Sequence, residues 1–545
     1  MVYYDNTMKD VTLSKNQTRF ILGFFVLIGV VLRLLFLDRL TFGYDQARDA
    51  LQAISIIRDG NLKLIGPTTD IKGLFHGPLF WYLIAPWYYV SSGNPVISRI
   101  FMVFLNSLNI VFIYYFALKL FKKNTIALMS ALFFAVSFEA IQYARWLSNP
   151  PPALLSIGIF LYGFWMVLNN AAIGFPLMLL CWIISVQFQF FLIYQGIFVL
   201  MALLILLSKK RKEFFLTFKN YWYLYLATIF FGSTFALSEL KFKFQGLKAV
   251  LGFFTRSTTV DGEPLIFKLT KFYNSLVRNI SLFLTFENRI SAALLLLVLV
   301  LFSVFIYVKR PKVRKQTLFL LIWFFSPVLI YPLEKNNAYF LNIGIIYPLI
   351  IMISVLISET QKIRGNLGKV LFFAVTTWII SVNLFLIFKY NPKGETLFSV
   401  QDRQILSDEE KVMDYTYLSS GKKMFGFNSV TNPLFISSTW AYVFDWYGKR
   451  KYGYLPAWMG YPLDDVGKEI EFPPLGSYQG KYLYLIIEPT PGIPEEYIRA
   501  YIRYEDTRSR LVERKQIGAF IVEKRQLTSK QHFLRDDLMK HISIK

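Results

Sequence analysis

Along the first 390 residues, apolar stretches alternate with short polar breaks. Most of these stretches run to roughly 17–25 residues, the length that crosses about 30 Å of hydrocarbon at 1.5 Å per residue. They fall at 20–37, 96–121, 125–143, 151–168, 171–187, 190–207, 220–238, 291–308, 316–333, 339–358 and 369–389. Read as helices, they make about eleven membrane spans. The stretch 78–90 (PLFWYLIAPWYYV) is shorter and carries Pro78 and Pro86, which suits a re-entrant or interfacial element better than a crossing.

The basic residues set the topology. With the N-terminus in the cytoplasm and 78–90 not crossing, four clusters fall on the inner side. These are Lys122-Lys123, Lys209-Lys210-Arg211-Lys212, the group Lys309, Arg310, Lys312, Arg314 and Lys315, and the group Lys362, Arg364 and Lys369. Positive charge belongs on that side. Counting 78–90 as a crossing would send all four outside. Segments 38–95 and 239–290 and the tail from 391 are then left on the outer face. In the tail the pattern changes to short alternating runs, KYLYLIIE at 481–488 and GAFIVE at 518–523, flanked by helical patterns at 407–418, 438–450 and 494–504. That pattern predicts an extracytoplasmic α/β domain over 391–545 beside a membrane module over 1–390.

Composition agrees with a membrane protein. Hydrophobic residues make up 55% of 545, more apolar surface than a soluble chain of this size can hide. The N-terminus carries Lys9, Lys15 and Arg19, but the apolar run after it lacks a small-residue cleavage site, so a retained first span is expected. The single cysteine, Cys181, rules out a disulfide framework or a cysteine-based metal site. The net charge of +24 sits in short loops between apolar runs, which points to topology and phosphate-bearing lipids, not nucleic acid.

Candidate chemistry gathers in the first outer segment. From Asp45 to Arg58 the positions Ala47, Ala50, Leu51, Ile54 and Ile57 follow helical spacing, and Asp45, Arg48, Asp49 and Gln52 share the other face. This is an amphipathic helix on the membrane surface, with a carboxylate and a guanidinium one turn apart facing water. The same pattern also fits a solvated face with an i,i+3 ion pair. Lys72 and His76 follow, just before the interfacial stretch. Arg99 opens the second span at its outer end, Arg145 and Asn149 follow the outer end of the third, and Glu334, Lys335 and Asn337 lie in an outer turn after the ninth. Each alone can snorkel to the interface, as Arg33 is expected to do. Together, cations beside an acidic helix suit an anionic lipid head group, and eight basic residues in 239–290, Arg256 among them, extend the set. The same segment also fits a partly ordered linker.

The order of these features resembles a known family. An acidic helix follows the first span, then His76-Gly77-Pro78-Leu79-Phe80, Ser98-Arg99 at the start of a long span, a Phe121-Lys122-Lys123 turn and an Ala144-Arg145 exit. Asn337-Ala338-Tyr339-Phe340-Leu341 with Tyr347-Pro348 comes later. The chain is similar to the GT-C superfamily of membrane glycosyltransferases, in the family-39-like group of protein O-mannosyltransferases and transferases that add aminoarabinose to lipid A. The resemblance implies an enzyme that transfers a sugar from a polyprenyl-phosphate donor to a lipid, protein or glycan acceptor on the outer face of the plasma membrane. It implies Asp45 as general base. Arg48 and Lys72 are then first candidates for the donor phosphate, with His76, Arg99, Arg145 and Lys335 behind them, and Asp49, Asn149 and Asn337 as further candidates. Two departures stand out: many members read Asp-Glu where this chain reads Asp45-Gln46, and an Asp often stands where Ser148-Asn149-Pro150 is found. With Asp45 and Asp49 on one helix beside Arg48, the site is expected to work without a metal cofactor, although a divalent ion is the alternative. A lipid-linked glycan transporter is a competing reading, but its usual internal repeats and midplane charges are not seen. A third is an oligosaccharyltransferase-like enzyme, suggested by Asp445-Trp446-Tyr447-Gly448.

Overall fold

The computed structural model describes residues 13–69, 71–255, 264–331, 339–363, 366–399, 401, 403–473, 478 and 480–528. Lys335, Asn337 and Arg256 lie outside the described residues. Each of the eleven apolar runs carries helix. Among the described residues, seven segments are long and apolar enough to cross a membrane. They include α1 (Lys15–Leu34) and α4 (Pro95–Phe121). An eighth span is a bent pair, α5 (Asn124–Val136) and α6 (Phe138–Arg145), broken by 51°. The remaining runs carry shorter helices, α7 (Ala153–Leu168), α8 (Gly174–Phe188) and a helix at Arg314–Phe325. The protein is a multi-pass membrane protein.

Between α1 and α4 stand α2 (Tyr44–Arg58) and α3 (Leu79–Val90). At twelve residues, α3 rises only about 18 Å, too short to cross, as Pro86 and the loop charges predicted. The segment expected to be a loop at 239–290 is largely helical. A lipid-facing helix, Trp222–Lys241, leads into helices at Gln245–Thr255 and Leu265–Leu284. The last buries Phe272, Leu276, Ile280 and Phe283 at three- and four-residue spacing. Its Asn279 Nδ2 donates to Glu139 Oε1 at 3.2 Å.

Three arginines close helix ends inside the bundle. Arg33 does not snorkel; it is wholly buried. The break at Ser137 strips α5 of its last hydrogen bonds, and Arg33 takes the freed carbonyls. Its Nη2 donates to Phe134 O at 3.2 Å and its Nη1 to Ala135 O at 3.0 Å, while Nε donates to Asn106 Oδ1 at 3.1 Å. A cation suits the negative end of a helix dipole.

The tail forms a five-stranded sheet in the order β2-β1-β3-β5-β4. Its strands are β1 (Gly426–Val430), β2 (Ala457–Trp458), β3 (Tyr482–Ile487), β4 (Ser509–Ile517) and β5 (Phe520–Leu527). The first three are mutually parallel, and β5 runs antiparallel to β3 with Leu485 opposite Glu523. β1 and β3 are buried, which suits the centre of a sheet covered on both faces.

This domain is fastened to the start of α2. Thr41 and Ile405 form an antiparallel bridge, Phe42 N donates to Gln404 O at 2.8 Å, and Leu406 N donates to Leu40 O at 2.9 Å. Gln404 Nε2 in turn donates to Glu488 Oε2 at 2.8 Å, and Glu488 also accepts from Trp440 Nε1 and Asn432 N. Burial pushes the Glu488 carboxyl up to about 8 against the pull of these three donors. Gly43 is packed so closely on Gln404 that a Cβ there would lie 2.4 Å from Gln404 Oε1. Tyr442 hydroxyl donates to Gly93 O, between α3 and α4.

Candidate active site

The polar face of α2 is not open to water along its length. Asp49 is 1% exposed, because α3 lies against it and Trp81 Nε1 donates to Asp49 Oδ1 at 2.8 Å. Arg48 Nε and Nη2 reach the same oxygen at 3.0 and 2.9 Å, while Arg48 Nη1 donates to Asp45 Oδ1 at 2.8 Å. One guanidinium thus bridges two carboxylates, with the Tyr44 ring 5.4 Å from its centre. Burial works against the Arg48 charge, but Asp49 and Asp45 more than offset it, so Arg48 holds its proton more tightly than a free arginine. Burial raises Asp49 to about 6 despite Arg48. Asp45 is the open member, with its side chain 36% exposed. It sits in the first turn of α2, where the helix dipole favours a carboxylate.

Gln46, which stands where the resembled family often has Glu, has a tethering role here. Its Oε1 accepts from Gly43 N at 3.0 Å and its Nε2 donates to Leu147 O at 3.2 Å. That ties α2 to the segment after α6. In the same segment Asn149 Nδ2 donates to Phe188 O at 2.7 Å, at the end of α8. Two residues on, Phe190 N donates to His76 Nδ1 at 3.0 Å. Burial, with a contribution from Arg48, lowers His76 to about 3. The ring is neutral and carries its proton on Nε2. His76 also lines a small cavity of about 40 Å³ with Phe75, Phe190, Phe235, Glu239 and Phe242.

The structure therefore joins Asp45, Arg48 and Asp49 in one ion-pair network, and it fastens His76 and Asn149 to the same Phe188–Phe190 segment. Lys72 stands exposed on the turn between Thr68 and Phe75. Arg99 and Arg145 meet each other at the end of α1. Arg99 donates to Leu37 O at 2.7 Å and to Phe36 O at 3.4 Å, and Arg145 donates to Leu35 O, Phe36 O and Asn391 O. Sequence reasoning passed over Trp81, Gln187 and Gln189. Their signal was faint: polar atoms at the ends of apolar runs. Among the described residues no three His, Cys, Asp or Glu side chains gather as a metal-ligand set.

No family model matches the sequence, and no curated protein does. Solved structures share the fold. The crystal structure of ArnT from Cupriavidus metallidurans in the apo state aligns at a TM-score of 0.56 and 10% identity, over 92% of this chain and 97% of that one. The structure of the same protein bound to undecaprenyl phosphate aligns at 0.58 and 10% identity, over 94% and 99%. The chain has an ArnT-like membrane fold, helical bundle and small sheet domain together, which is the architecture the sequence motifs resembled.

Proposed function

We propose that the protein is an inverting glycosyltransferase. It moves a sugar from a polyprenyl-phosphate carrier to an acceptor hydroxyl at the extracytoplasmic face of the plasma membrane. The observation that carries this reading is Asp45: a partly open carboxylate on the first turn of α2, held by the buried Arg48. The fold shared with ArnT, one structure of which holds undecaprenyl phosphate, supports a carrier of that chemistry. The placement of all four basic clusters on one side supports the orientation.

In this reaction Asp45 takes the proton of the acceptor hydroxyl as its oxygen attacks the anomeric carbon. The bond from that carbon to the phosphate oxygen breaks on the opposite face, and the polyprenyl phosphate leaves with the electron pair. Arg48 and Lys72 supply positive charge to the departing phosphate, and His76 Nε2–H donates a hydrogen bond to it. The reaction so drawn needs no divalent metal. Lys335 is a further phosphate candidate.

The test is donor-dependent stabilisation of the purified protein. A polyprenyl-phosphate sugar at a hundredfold excess over its Kd is expected to stabilise the fold by about 2.7 kcal/mol. Indifference to every such sugar and to the bare carrier contradicts the proposal.

A further inference from the structure

The sheet domain reaches the start of α2 through one buried carboxyl, Glu488. β1 has β2 on one side and β3 on the other, all parallel. The carboxyl ends of β1 and β3 thus form a switch point, the usual ligand position in such sheets. Glu488 stands there, just after β3, and its N–H donates to Val430 O at 3.0 Å, at the end of β1. Its side chain holds two other segments of the chain. Gln404 Nε2 donates to Oε2 and Trp440 Nε1 to Oε1, each at 2.8 Å.

Both segments lead to the first turn of α2. Gln404 lies against Gly43, two residues before Asp45, and its carbonyl accepts from Phe42 N at 2.8 Å. Trp440 belongs to the short helix Ser438–Val443, which packs on α2. From that helix Tyr442 sets its ring 5.1 Å from the ring of Phe42. The ties of α2 to the membrane module are separate ones. Gln46 reaches Leu147 O, and one turn on, Trp81 of α3 donates to Asp49. We propose that Glu488 is a positioning residue, which sets the place of the Asp45 carboxylate by holding Gln404 and Trp440 in register. This rests on the glycosyltransferase reading and deepens it: the sheet domain becomes a support for the base.

The test uses the full chain in lipid nanodiscs and compares wild type with Glu488→Met and Glu488→Gln. Methionine is of similar length and offers no oxygen to Gln404, Trp440 or Asn432 N, whereas glutamine keeps one. In Glu488→Met, hydrogen exchange over residues 40–47 is expected to speed about tenfold, as for one lost hydrogen bond. Exchange over residues 50–58 should stay within about twofold. Transfer is followed from undecaprenyl-phosphate glucose, galactose, mannose and glucosamine into a crude membrane extract. Its kcat is expected to fall about 10- to 100-fold, as for a reacting group moved by about 1 Å. The Kd of bare undecaprenyl phosphate should stay within about twofold, and Glu488→Gln should regain most of the lost rate. A folded Glu488→Met with unchanged exchange over 40–47, or with the wild-type kcat, overturns the inference. So does exchange that speeds equally along α2, because the loss is then one of general stability. Glu488→Gln as slow as Glu488→Met also counts against it. Should Glu488→Met not fold, Gln404→Met takes its place, since it removes one donor and keeps the backbone bridge. Unchanged exchange over 40–47 in that variant overturns the inference equally. A wild type that neither binds undecaprenyl phosphate nor transfers any of the four sugars removes the proposed function, and the role given to Asp45 with it.

Discussion

Asp49→Asn separates the energetics of the α2 cluster from its chemistry. Asp49 is 1% exposed, and its carboxyl rises from 3.8 to about 6, chiefly through burial. An acid raised in the folded state binds its proton more readily there than when unfolded. Its stabilising contribution is therefore complete below pH 3.8 and lost as pH climbs through about 6. At 1.36 kcal/mol per pH unit, the gap makes the ionised form cost about 3 kcal/mol. Asparagine mimics the protonated acid and removes that cost. Asp49→Asn is thus expected to match wild type below pH 4 and to exceed it by about 3 kcal/mol near pH 8. Denaturant or thermal unfolding in detergent, run at both pH values, measures the difference. If the variant is less stable than wild type at pH 8 and equal to it at pH 4, the ion pair with Arg48 outweighs burial and the reasoning is refuted.

Other outcomes follow from the same contacts. Arg48→Ala is expected to lower turnover about 30- to 1,000-fold, as for loss of roughly 2–4 kcal/mol of charge-assisted contact in a shielded site. Steady-state assay checks it, and a neutral result moves the phosphate site elsewhere. Glu488→Ala leaves Gln404 Nε2, Trp440 Nε1 and Asn432 N without their acceptor. It should cost at least about 1–3 kcal/mol and speed proteolysis between membrane module and sheet domain. Unchanged protease resistance and melting temperature would show that other contacts hold the domain.

Much of this architecture was legible in the chain. Each apolar run is helical, and the stretch read as too short to cross forms a helix of only twelve residues, Leu79–Val90. The tail strands at 481–488 and 518–523 match β3 and β5 within a few residues. What escaped depends on distant contacts. Val136-Ser137-Phe138 carries no proline or glycine, so nothing local announces the 51° break. Arg33 is buried because that break frees carbonyls a hundred residues away. The charged 239–290 segment read as loop because its apolar stripe is narrow, yet Leu265–Leu284 lays that stripe against the bundle. Helical spacing found the face holding Asp45, Arg48 and Asp49, but one face of a helix does not reveal what covers it. Trp81, thirty-two residues on from Asp49, does.

The central claim is that Asp45 is the base. The most direct measurement is sugar transfer by purified Asp45→Asn, with a polyprenyl-phosphate donor that stabilises wild type. Asn keeps the shape of the side chain and cannot take a proton at neutral pH, so the account predicts a folded variant that binds donor and turns over at background rate. Turnover at the wild-type rate would contradict it.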